Sequence, residues 1–237
     1  MKTFKSFLIL LMIAVTCYST ALAGNSDETQ IRKVKGFNAI KVSTGIDLYL
    51  TMGDAEEVKV VADDDIIDDL VTEVENGTLK IYMKRQNWFN WGNGNETRKA
   101  YVTVKELEKL SASSGSDVET TNTIEGESLE VSCSSGSDVE LDVHYKNLSV
   151  DTSSGSDAKL RGKVKTLKVG ASSGSDIKAK DLESAICYAD ASSGSDITVS
   201  VSSEIYAHAS SGADVAYYGD PEIRDTDESS GGDVHRR

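Results

Sequence analysis

The chain has 237 residues, 38% of them hydrophobic but only 6% aromatic, and a net charge of −14. Its apolar content is thin for one globular core and suits a stack whose repeats share a narrow core with their neighbours. The acidic surface repels nucleic acid and anionic lipid headgroups, so neither is an expected partner.

The N-terminus reads as a signal peptide over residues 1–23. Lys2 and Lys5 give a positive start, residues 7–15 are an apolar run too short to span a bilayer, and Ala21-Leu22-Ala23 ahead of Gly24 is a small-residue cleavage site. Lipidation at Cys17 is the competing reading, but Ala14-Val15-Thr16 makes a poor lipobox. No later segment is long and apolar enough to be a transmembrane span, so an exported protein is expected.

Residues 24–110 read as a β-rich head continuous with the solenoid of residues 111–237. After a polar start over residues 24–30, residues 37–43 and 46–52 alternate apolar with polar, the period of half-buried strands. Residues 57–62 give another strand. Residues 63–74 place Ile66, Ile67, Leu70 and Val71 at helical spacing behind aspartates, which predicts a short helix. Asn76-Gly77 is a strong turn signal leading into an alternating run over residues 79–84. Residues 86–97 form an Asn/Gly-rich loop holding Trp88, Phe89 and Trp91. Aromatic rings on a loop suit stacking on a glycan or a protein surface, and these three are the candidate ligand-binding residues. The competing reading is that the rings fold back to cover an open end of the stack. Strand patterning then resumes at residues 99–104.

Residues 111–237 carry a repeat. Ser-Ser-Gly-Ser-Asp occurs five times, followed by SSGAD and SSGGD. The glycines stand at 115, 136, 155, 174, 194, 212 and 231, at spacings of 21, 19, 19, 20, 18 and 19. A near-fixed period of this length signals a solenoid. Apolar residues alternate with polar ones on both flanks, as in Leu148-x-Val150 before one pentapeptide and Ala158-x-Leu160 after it. No helical period appears there. Backbone groups need partners, so equivalent strands of successive coils must pair. The fold class is therefore all-β: a parallel β-helix with coils of 19–20 residues, right-handed by the bias of parallel crossovers. Seven coils give a rod on the order of 30 Å at roughly 4.8 Å per coil. Ser43-Thr44-Gly45-Ile46-Asp47 in the head is a divergent copy of the same motif.

Alternation predicts that the second and fourth pentapeptide positions point inward. It leaves Asp117, Asp138, Asp157, Asp176, Asp196, Asp214 and Asp233 outward or in the turn. These aspartates read as a structural turn ladder of Asx type, or alternatively as a weak cation site. The nonapeptide of calcium-binding β-rolls is missing, and Ca²⁺ needs six to eight oxygens, so no cofactor or metal is expected. Cys133 and Cys187 lie more than two coils apart, beyond disulfide reach, and read as small core residues. His144, His208 and His235 show no metal-ligand or catalytic spacing, so the chain is not expected to be an enzyme.

These features resemble one family, the putative auto-transporter adhesin, head GIN domain. The resemblance spans about residues 32–215. It rests on Gly36-Phe37-Asn38-Ala39-Ile40, Gly45-Ile46-Asp47, the Asn76-Gly77-Thr78-Leu79-Lys80-Ile81 turn and strand, Val102-Thr103-Val104, Leu107 and Leu110, and the glycine-centred repeats. It implies a β-helix-like fold and an exported adhesin of the Bacteroidetes type. The implied location is the periplasm, outer-membrane surface or exterior of a Gram-negative cell. The repeats run on to residue 237 where a true auto-transporter carries a translocator barrel, so self-export is not expected. The resulting expectation is a non-enzymatic envelope or surface protein that binds a glycan or envelope protein. The alternatives are a purely structural envelope module and a glycan-active β-helix enzyme.

Overall fold

The structure, a computed structural model, describes residues 26–84 and 96–237. The expected signal peptide, residues 1–23, lies outside them. Seventeen strands among the described residues join in one hydrogen-bonded sheet. In chain order the head supplies β1 (Asp27–Arg32), β2 (Ala39–Ser43), β3 (Asp47–Met52), β4 (Glu57–Asp63), β5 (Leu70–Glu75), β6 (Thr78–Met83) and β7 (Arg98–Val104). The coils supply β8 (Lys109–Ser113), β9 (Asp117–Thr120), β10 (Ile124–Ser134), β11 (Asp138–Ser153), β12 (Asp157–Ser172), β13 (Asp176–Ser192) and β14 (Asp196–Ser210). The last coils add β15 (Asp214–Tyr218), β16 (Ile223–Ser229) and β17 (Asp233–Arg236).

The expected solenoid is present. Each coil leaves a pentapeptide corner, runs out along one leg, rounds a second corner and returns. The legs pair in parallel with the next coil, so like stacks on like. Val139, Ala158, Ile177, Ile197, Val215 and Val234 form one ladder, and Val131, Val150, Val169, Ala189 and Ala207 another. Nearly all of these side chains are buried, and every second residue of β11 to β14 along the legs faces the shared core. Cys133 and Cys187 are buried and unbridged, as expected.

The head is threaded into the same stack. β2 lies between β6 and β8, and β3 between β7 and β9, all in parallel. Antiparallel strands finish this end: β4 on β7, β1 on β4, and β5 on β6. Ile67 and Leu70 are buried beneath them, and Arg32 donates to both of their carbonyls at 3.1 and 3.2 Å.

Two head expectations are corrected. The helix over residues 63–74 is a single 3₁₀ turn, Ile67–Asp69, followed by β5. The Asn76-Gly77 hairpin draws Leu70–Glu75 onto β6 through Glu73 opposite Lys80 and Val74 opposite Leu79. Val71, Thr72 and Val74, all β-branched, suit that pairing. The polar start contains β1, an edge strand that carries almost no buried residue and therefore shows no alternation. At the far end, β16 is exposed along its whole length. Arg224, Thr226 and Glu228 stand in register with inward-facing Ile205, Ala207 and Ala209. Polar residues at core positions keep this last layer from presenting an apolar face to solvent.

Candidate functional site

The two corners of the coil are built differently, and each gives rise to its own candidate surface. At the pentapeptide corner the second serine and the glycine both take positive φ, as at Ser154 (58°) and Gly155 (68°). Two successive left-handed residues make the tight turn that suits twisted strands. Serine at such a φ costs about 1 kcal/mol where glycine costs little. This corrects the inward placement of the second position. The left-handed residue breaks the alternation, and its side chain is exposed.

The fourth serine does point inward, and Ser116, Ser137, Ser156, Ser175 and Ser195 are fully buried. Ser175 Oγ accepts from the Ser172 N–H at 3.1 Å and donates to the Ser172 carbonyl at 2.9 Å. Ser137 and Ser195 reach carbonyls of the preceding coil, Ala112 at 3.0 Å and Ala171 at 2.9 Å. Where Ala213 or Gly232 replaces the serine, its own N–H donates instead, to Ser210 at 3.2 Å and Ser229 at 2.9 Å. The glycine N–H groups stitch the turns together, Gly136 to the Ser154 carbonyl and Gly155 to that of Ser173, both at 3.2 Å.

The seven aspartates stack in register. The bond resolved within the ladder serves the neighbouring coil rather than the residue's own turn: the Asp157 N–H donates to Asp138 Oδ1 at 3.1 Å. Burial, then Asp138 and Asp47, raise the Asp117 carboxyl above its ordinary range. Burial, then Asp176 and Asp214, do the same for Asp196. Lys178 Nζ relieves the middle of the ladder, 3.2 Å from Asp157 and 3.3 Å from Asp176. Among the described residues, no group of three or more His, Cys, Asp or Glu is arranged to hold a metal ion.

The chain passes from β6 to β7 on the same side of the stack. Ile81 pairs with Val42 and Lys99 with Asp47. In β2–β3 four residues separate those partners; in the neighbouring coil seventeen do. The Met83 N–H donates to Thr44 Oγ1 at 2.8 Å at the entry. The connection from β6 to β7, within which residues 86–97 fall in sequence, thus joins the strands stacked on β2 and β3, which the Ser-Thr-Gly copy joins in the neighbouring coil. Trp88, Phe89 and Trp91 themselves lie outside the described residues.

On the outward face of the returning leg, Tyr188 and Tyr206 stack with centroids 4.9 Å apart, in register with Lys168 and Asp225. His208 Nδ1 lies 3.1 Å from Asp227 beside them.

The second corner is irregular. The coil from Gly174 has 20 residues and the next only 18. The difference falls here: after Ala179 opposite Val199, the next pair is Glu183 opposite Ser200, so residues 180–182 have no partner in β14. A groove of about 830 Å³ runs along this corner, lined by residues of successive coils from Gly126 to Asp220. Gly162 (φ 113°) and Gly219 (φ 109°) let the chain turn there. A Cβ on either would lie 2.1 and 2.0 Å from the carbonyl oxygens of Val143 and Val201. The floor is Val164, Ser184 and Val201, with buried Tyr145 donating its hydroxyl to the Leu107 carbonyl at 2.9 Å.

His144, Lys146, Lys163 and Lys165 line one side of this groove, and Glu183 and Asp220 the other. Lys146 lies 3.3 Å from Glu127 and Lys163 3.4 Å from Glu183, all largely exposed. Asp220 is held by Arg224 and, at 2.9 Å, by Arg236. Among the described residues Lys165 has no carboxylate partner. Sequence reading missed this cluster, although His144 and Lys163, and likewise Lys146 and Lys165, stand one repeat apart.

A family model described as putative auto-transporter adhesin, head GIN domain matches residues 36–221. Among solved structures the chain resembles a "putative adhesin" from Bacteroides fragilis, with TM-score 0.82 and 20% identity over 90% of this chain and 98% of that one. It also resembles a "putative lipid binding protein" from Parabacteroides distasonis (TM-score 0.72, 23% identity, 91% and 98% covered). A third is a "putative adhesin" from Parabacteroides merdae (TM-score 0.70, 14% identity, 89% and 96% covered). At these identities the likeness establishes the shared fold. A search among proteins of curated function finds no match.

Proposed function

Because the chain belongs to the family described as putative auto-transporter adhesin, head GIN domain, we propose that it is an exported, non-enzymatic binding module of the bacterial cell envelope. Its ligand is a glycan or an envelope protein, and Trp88, Phe89 and Trp91 make the contact. The observation that carries this reading is the lengthened connection at one end of the stack. Every other pentapeptide corner spends its polar groups joining coils, whereas the first coil departs from that pattern with an aromatic-rich insertion. Tryptophan rings supply large, rigid contact area for sugar faces or protein surfaces.

The names carried by the structural relatives, two adhesins and one lipid-binding protein, are compatible with a surface-binding role. A second reading, a structural module with no ligand, draws on the extent to which the coils' polar atoms are committed to one another. A glycan and envelope-extract binding screen separates the two. The binding reading expects retention of a glycan or envelope protein by the mature chain and its loss in the double variant W88A/W91A. Retention of every bound component unchanged in that variant rules out the aromatic loop, and no retention of any component favours the structural module.

A further inference from the structure

We infer that the groove at the second corner is a binding site for an oligosaccharide bearing a single acidic sugar. It is separate from the aromatic loop, which belongs to the other corner of the coil. The volume of about 830 Å³ is that of a small-molecule site.

Its charge is unlike the rest of the molecule. Its lining carries Lys146, Lys163 and Lys165 with His144 against Glu183 and Asp220, in a chain of net charge −14. Lys163 and Lys165 lie two residues apart on one coil, roughly 7 Å along a strand. His144 and Lys146 hold the same places one coil away, roughly 4.8 Å across. Four basic side chains at these spacings can bracket one carboxylate, and Lys165 is uncommitted among the described residues.

The surroundings select the rest of the ligand. A long polyanion would have to run out over an acidic surface and be repelled. An acyl chain needs an enclosed apolar pocket, whereas this groove is open, and its floor of Val164, Ser184 and Val201 beside Tyr145 mixes apolar with polar groups. Neutral sugar rings need only such a shallow floor with hydroxyl and backbone groups beside it, which Ser200, Gly126 and Gly219 provide. The acid therefore has to be local and the remainder neutral.

Calorimetric titration of the mature chain tests this with trisaccharides that each bear one sialic, glucuronic or galacturonic acid, every one beside its neutral counterpart. At least one acidic member should bind about tenfold more tightly than its counterpart and weaken with added salt. K163Q/K165Q, two exposed substitutions whose folding is checked by circular dichroism, should cost that ligand about tenfold, while W88A/W91A leaves it unchanged. No preference for any acidic member over its neutral twin overturns the inference. So does binding that survives K163Q/K165Q or disappears in W88A/W91A. Tighter binding of polygalacturonate or of phosphatidylglycerol vesicles than of every trisaccharide also overturns it, in favour of a polyanion or a membrane.

Discussion

Two glycines of one coil, Gly155 and Gly162, should respond very differently to alanine. Gly155 is left-handed (φ 68°), but a Cβ there meets nothing within 4 Å. The cost of G155A is the left-handed penalty of about 1 kcal/mol, partly offset by the lower entropy of the unfolded chain. At Gly162 φ is 113° and the new Cβ would lie 2.1 Å from the Val143 carbonyl oxygen and 3.0 Å from its carbon. Those atoms belong to the ladder that pairs Val143 with Gly162, so they cannot retreat without breaking it. Backbone strain and overpacking of about 1–3 kcal/mol each then add, and G162A should cost about 3 kcal/mol or more. Urea denaturation followed by circular dichroism measures both. The melting temperature should fall by under about 4 °C in G155A and by about 6 °C or more in G162A, at about 2–4 °C per kcal/mol for a chain of this size. Equal losses would refute the assignment of Gly162 to a backbone contact.

Three further outcomes concern the regular corner and the core beside it. Asp196 has its carboxyl raised above the ordinary 3.8, so its contribution to stability is present below that value and is lost as the pH rises through its folded value. D196N should therefore melt higher than the parent at pH 7 and no higher at pH 3; a variant that melts lower at pH 7 would contradict the ladder's repulsion. Replacing Ser114, Ser135, Ser154, Ser173 and Ser193, all left-handed and exposed, with asparagine should raise the melting temperature, because asparagine tolerates that conformation better. Cys133 and Cys187 should stay unreactive toward a thiol reagent until the chain unfolds, since burial pushes both thiols up, Cys187 to about 12. Rapid labelling of the folded chain would show a coil that opens.

The solenoid was legible because its period is written twice, in the spacing of the glycines and in the alternation on either side of them. The core ladders could be named residue by residue from that register. The errors fall where local pattern and tertiary pairing disagree. Ile66, Ile67, Leu70 and Val71 carry a helical spacing, yet the hairpin at Asn76-Gly77 gives Leu70–Glu75 a strand partner and wins. β1 has no pattern to read because both of its faces are wet. The second serine of the pentapeptide defeats alternation because the turn needs two left-handed residues, and only glycine advertises that need in sequence. The groove was half visible. The basic pairs one repeat apart and the step from 20 to 18 residues were both there, but only the folded stack shows that both fall along one groove.

The two corners divide the demands on the chain. A coil stacks at a fixed rise only if one corner is geometrically constant, and the pentapeptide corner supplies that constancy by engaging its serine hydroxyls, glycine N–H groups and at least one aspartate across coils. Variation in coil length must then be absorbed elsewhere. The step from 20 to 18 residues falls at the second corner, where residues 180–182 have no partner in the next coil. A concave surface can form along the stack where register is allowed to slip. The pentapeptide corner escapes its own constancy once, in the coil where seventeen residues replace four. Both proposed contact surfaces therefore lie where the repeat is broken, and the repeat itself is the frame that holds them.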